Sequence, residues 1–117
     1  MTATVYIVQR PTYYDTTKRG WVNKYDLSSA KKHGNITVLL SSGNIFQNKI
    51  QEALKVLNEA LASFTSEDFI LAIGDPVAIA ASVIIASQRT GGKVKILKFD
   101  KLSQEYLPYL IDITSLK

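Results

Sequence analysis

Two short polar segments hold the residues best suited to gripping an anion. Ser41, Ser42 and Asn44 stand in the turn Ser41-Ser42-Gly43-Asn44, and Gly74 and Asp75 stand in the corner Gly74-Asp75-Pro76. Each follows an apolar run that reads as a strand. In an open α/β sheet, loops at the carboxyl ends of strands converge with helix N-termini, whose free N–H groups and dipole attract negative charge. The two loops are therefore expected to share a crevice. Against an anion, Asp75 brings a negative charge to the place a phosphate would take, and no Gly-Lys-Ser/Thr sequence follows. Asp75 and Pro76 also fit a capped helix start, with the carboxylate at the N-cap and proline at the first helical position.

A second group is basic and aromatic. Tyr13, Tyr14, Lys18, Arg19, Trp21 and Lys24 crowd the N-terminal part of the chain. Cations interleaved with rings suit single-stranded nucleic acid, which takes charge on its phosphates and stacking on its bases. Lys93, Lys95, Lys98 and Lys101 gather later, but 93 and 95 fall on one strand face and 98 on the other. They fit a solvated edge strand whose lysines discourage pairing.

Other chemistry finds little support. His33 is the single histidine and there is no cysteine, which leaves no thiolate, disulfide or His/Cys metal set. His33 reads as a surface residue ending a helix. The carboxylates Glu52, Glu59, Glu67, Asp68, Asp100 and Asp112 fall in turns or on wet faces, with no paired spacing for acid–base hydrolysis. No cofactor or metal is expected.

These residues need elements to hold them. At 117 residues, 46% hydrophobic and 21% charged, the chain has the size and balance of one soluble α/β domain. Its net charge of +4 is a mild lean towards anionic partners. The N-terminus has no signal-peptide pattern, and the longest apolar stretch is broken by Gly-Asp-Pro, so no membrane span is expected.

Residues 4–10 read as a buried strand, 12–20 as a polar loop and 21–25 as a brief extended piece. Asp26 caps a short helix, 27–33, closed by Gly34 in a left-handed conformation. A second strand runs over 35–41 and an amphipathic helix over 45–64, burying Phe46, Ile50, Ala53, Leu54, Leu57, Leu61 and Phe64. A continuous apolar strand, 69–73, feeds a helix over 77–86. Gly91-Gly92 stops that helix, and strands over 93–99 and 105–113 close a hairpin, with Tyr106, Leu110 and Ile113 inward. The expectation is a single three-layer, Rossmann-like α/β domain over residues 1–117. Its sheet has about five mostly parallel strands and an antiparallel C-terminal edge hairpin.

The helix over 77–86 is apolar on nearly every side. One outer helix in so small a domain is hard to enclose, so Ile79, Val83 and Ile84 are expected to meet a second copy.

Arg19-Gly20-Trp21-Val22, Tyr25-Asp26-Leu27-Ser28-Ser29-Ala30, Leu39–Ile45, Phe69–Pro76, Gly92–Asp100 and Tyr106-Leu107-Pro108 follow one another in an order that resembles a family of small bacteriophage- and prophage-encoded proteins. The resemblance spans nearly the whole chain, implies a phage setting and the host cytoplasm, and brings no catalytic residues to carry over. The leading functional expectation is a non-enzymatic phage accessory protein working through contacts with a host or phage protein, as a homodimer. A nucleic-acid-binding protein using the N-terminal loop is the alternative. A small nucleotide- or anion-binding enzyme at the Ser41–Asn44 and Gly74–Asp75 loops is the third.

Overall fold

The computed structural model of the chain describes residues 3–23, 27–41, 45 and 47–116. In chain order these form β1 (Thr4–Gln9), β2 (Thr12–Asp15), β3 (Gly20–Asn23), β4 (Asn35–Leu40), α1 (Ile50–Ala60), β5 (Phe69–Leu71), α2 (Pro76–Thr90), β6 (Lys93–Asp100) and β7 (Glu105–Asp112). Three 3-10 turns, Ala30–His33, Gln47–Lys49 and Ile113–Ser115, complete the regular structure.

Five strands make one sheet in the order β4-β1-β5-β6-β7. The first four run parallel, and β7 returns antiparallel along the edge of β6. The mostly parallel sheet with an antiparallel C-terminal hairpin is thus as the sequence indicates. β1 lies between β4 and β5, so the chain leaves it to one side and later returns on the other. That reversal is a topological switch point.

Both faces of β1 are covered, which is why its apolar run is continuous rather than alternating. Tyr6 and Val8 join Ile70, Val94, Leu57, Leu61, Phe64 and the inner alanines of α2 on one face. Val5 and Ile7 join Phe69, Leu71, Leu97, Ala30 and Tyr106 on the other. α1 and α2 therefore share a face. The opposite face is closed by residues 27–33 and by the far end of the β6–β7 hairpin, where Lys32 Nζ pairs with Glu105 Oε1 at 2.7 Å. The three-layer, Rossmann-like expectation extends only to the sheet and one helical layer, because among the described residues the second face carries a 3-10 turn and no α-helix.

Local chemistry explains several boundaries. α2 begins on the Asp75 cap and Pro76, and it ends at Gly91, left-handed at φ 68°. α1 begins five residues later than the periodicity suggests, because the residue before it is Lys49, which makes no side-chain cap. Leu61 and Phe64 stay buried in the turns that follow. β5 stops at Leu71, where Ile73 N–H folds back to the Leu71 carbonyl. Gly34 is extended at φ 159°, ψ −175° rather than left-handed. Glycine is needed there because a Cβ would collide with the Ala3 carbonyl. The expected helix over 27–33 is reduced to the single 3-10 turn, and its Asp26 cap lies outside the described residues.

Three further expectations change. The loop over 12–20 is the first strand and turn of a β2–β3 hairpin. β6 is an interior strand, so its lysines do not guard an edge. Of the three inward residues assigned to the last strand, only Tyr106 is buried, while Leu110 and Ile113 are exposed.

Candidate functional site

The carboxyl ends of β1, β4 and β5 meet at the switch point, and Gln9 fills it. Its side chain is 3% exposed. Nε2 donates to the Ser41 carbonyl at 3.2 Å, and Oε1 accepts from the Asp75 N–H. Asp75 in turn accepts from Val77 N–H at 2.8 Å and from Ile45 N–H at 3.1 Å. The two loops singled out from sequence are thus tied together through one buried amide and one carboxylate. Those donors, Ile45 N–H first and Val77 N–H second, hold the Asp75 carboxyl below its usual value.

Gly74 stands at φ 132°, and a Cβ there would lie 2.6 Å from Gln9 Oε1, so side chain and glycine are matched. Chemically, the carboxylate occupies the N-terminus of α2 and satisfies the donors an outside anion would seek. Ser42 and Asn44 lie outside the described residues. Gln9 was not singled out from sequence; its only signal is a lone polar residue closing the apolar run of β1.

The basic and aromatic group is gathered into one antiparallel ribbon. β2 and β3 pair with each other alone, setting Tyr14 opposite Trp21 and Tyr13 opposite Val22. Asp15 Oδ1 accepts from Thr17 N–H at 2.8 Å and from Lys18 N–H at 3.1 Å, which shapes the turn. Arg19 closes the turn at φ 52°, and Lys18 and Arg19 are both exposed. Lys24 lies outside the described residues. Among the later lysines, Lys95 Nζ sits 4.4 Å above the Phe69 ring.

On the helical face, Ile79 and Val83 are half-buried against the core, whereas Ile84 is 61% exposed and Val77 is also open. Register adds two residues that sequence reading missed. Tyr109 lies opposite Ile96 and Ile111 opposite Val94, so both extend the α2-covered face by one strand, and both are exposed.

His33 is not a simple surface residue. Its ring packs edge-on to Phe69 at 5.3 Å, and Nε2 donates to the Tyr106 carbonyl at 3.1 Å. Asp68 also departs from expectation. It is buried, and it accepts from Thr4 N–H and Thr65 N–H, both at 2.9 Å, and from Thr65 Oγ1. Beside it, burial first and the Asp68 charge second push the Tyr6 phenol up. Among the described residues no three His, Asp or Glu side chains gather in a metal-binding group, and no helix is long and apolar enough to cross a membrane.

A family model described as Phage Pam3 gp32-like protein matches residues 3–113. No curated protein and no solved structure matches the chain.

Proposed function

The chain belongs to the Phage Pam3 gp32-like protein family, and from that premise we propose a non-enzymatic phage accessory module that works by protein–protein contact in the host cytoplasm, as a homodimer. The observation that carries this reading is the apolar surface on the helical face. Ile84 and Val77 on α2, and Tyr109 and Ile111 on β7, stand open on one side of the sheet. Isolated apolar residues are ordinary on a surface, but a group sharing one face marks a contact.

A second copy is the favoured occupant because a two-fold axis lets one apolar patch cover another identical one. The copies meet face to face rather than by joining sheet edges. The Leu97 carbonyl accepts from Ala72 N–H, so the main chain of Leu97 faces away from β7, and that of Pro108, its antiparallel partner, faces the open edge. Pro108 has no N–H to offer a new strand, and the neighbouring outward carbonyl of Tyr106 is taken by His33.

Sedimentation equilibrium at micromolar concentration tests the reading. Wild type is expected at twice the 13.0 kDa chain mass. Ile84→Glu, exposed in one copy and desolvated in the pair, is expected to run as monomer with unchanged far-UV circular dichroism. A wild type that stays monomeric at high concentration overturns the homodimer.

A further inference from the structure

We propose that α2 of a second copy lies on β7 beside the protein's own α2, so that the two helices form one layer shared between two sheets. This arrangement rests on the homodimer reading and deepens it, giving the uncovered strip of sheet its occupant and its register. Three observations point there. First, the helical face is one strand short of cover. Five strands about 4.8 Å apart present about 24 Å, whereas two helices about 10 Å across cover four strands. α1 packs on β4, and α2 on β1 and β6, which leaves β7. Its residues on that face, Tyr109 and Ile111, are open and lie opposite Ile96 and Val94.

Second, α2 has no charged side to give to water. Residues 76–88 hold no Asp, Glu, Lys or Arg. Ala78, Ala81 and Ile85 are buried in its own core, while Val77, Ala80 and Ile84 on the outer side are exposed. A helix apolar on both sides is suited to lie between two sheets. Ile85 and Arg89 turn towards α1, where Arg89 donates to Asn58. Ile79 and Val83, on the opposite flank of the helix, therefore turn towards β7.

Third, a single two-fold axis meets all of these needs. An axis parallel to the strands, midway between the two sheets, carries the second copy's α2 onto β7 with its outer side down. The Ile79–Val83 flanks of the two helices then meet across the axis. Tyr109 and Ile111, about 6.8 Å apart along β7, fall within the roughly 10.5 Å that separates Val77 from Ile84 along the helix. Ala80, between those two, leaves room for the tyrosine ring. The axis keeps the helices parallel, so the second copy's Asp75 comes to the end of β6 that carries Lys98. Lys98 is exposed and shares the face of Ile96. That charge complementarity favours a second copy over an unrelated apolar partner.

The chain has no cysteine, so introduced thiols report only their own contact. Ala80→Cys and Ile111→Cys are mixed and treated with a short bismaleimide. The mixture is expected to give covalent dimer, and each variant alone little. Sedimentation equilibrium gives the second readout. Tyr109→Glu is expected to weaken the dimer by about thirtyfold or more, as loss of a desolvated anchor does. Leu110→Glu, on the other face of the same strand and more exposed, should stay within about twofold. Far-UV circular dichroism checks that the variants are folded. A wild type that is monomeric at high concentration overturns the homodimer and the shared layer together. The shared layer alone is overturned by a dimer in which Ala80→Cys links to itself, the mixture fails to link, or Tyr109→Glu weakens association no more than Leu110→Glu.

Discussion

Asp75 ties the start of α2 to two segments far away in sequence, the backbone at Ile45 and the side chain of Gln9. Its carboxylate takes the N–H groups of Val77 and Ile45, while its own N–H goes to Gln9. Asp75→Ala removes both side-chain acceptors, whereas Asp75→Asn keeps one. Urea denaturation midpoints should therefore fall in the order wild type, Asp75→Asn, Asp75→Ala, and an alanine variant as stable as wild type would refute the role. The pH dependence has a definite sign. Because the folded-state carboxyl is held below the ordinary value of 3.8, chiefly by Ile45 N–H, its stabilisation is complete above that value and is lost as pH falls through the folded-state one. Wild type should thus lose stability more steeply than Asp75→Asn in acid below about pH 4. Asp75 and Pro76 were legible as a helix start because a cap is a local pattern. Gln9 was not legible, since its partners Ser41 and Asp75 are 32 and 66 residues away.

Elements were readable where periodicity was long and unreadable where it was short. The stripe through Ala53, Leu57, Leu61 and Phe64 is buried as its spacing indicates. The uncapped start at Lys49 moved the helix boundary without altering its phase. Leu57 is fully buried, so Leu57→Ala should destabilise by about 2–5 kcal/mol. Glu59→Ala, on the exposed side of the same helix, should stay within about 0.5 kcal/mol. Asn58 is unsuitable as the neutral control, because its Oδ1 and carbonyl both accept from Arg89 on α2. Thermal or chemical denaturation of both variants checks the phase, and equal effects would contradict it. The β2–β3 hairpin escaped sequence reading for a physical reason. Its strands have four residues each, too few for alternation to stand out, and its turn has neither Asn-Gly nor Asp-Gly. Its signal was the aspartate that opens the turn, a device repeated at Asp100.

At the scale of the whole molecule the layering is lopsided, with both α-helices on one face of the sheet. The radius of gyration is 14.6 Å, with a longest extent of 52 Å. A closely packed domain of this length would have a radius of about 13 Å. The mostly parallel sheet and its antiparallel C-terminal edge followed from the run of elements, whereas the strand order β4-β1-β5-β6-β7 did not. The second face did not, because the segment that covers it is a 3-10 turn assisted by a hairpin end from the far side of the sequence, joined at Lys32–Glu105 and His33–Tyr106. The described buried residues of the two core clusters come from β1, β4, β5, β6, β7, α1 and the turn after it, α2 and the 30–33 turn, while β2 and β3 pair with each other and with no strand of the main sheet. Replacing Thr12–Asn23 with a short Gly-Ser linker should therefore leave the five-stranded sheet folded, with Pro11 retained because it is buried at the end of β1. The ribbon joins no strand of that sheet, so its removal breaks none of the sheet's strand pairs. The shortened chain should unfold in one cooperative thermal transition, with a midpoint within a few degrees of wild type, and should sediment with the same subunit stoichiometry. Loss of the cooperative transition would mean that the ribbon is part of the folding unit rather than an arm carried by it.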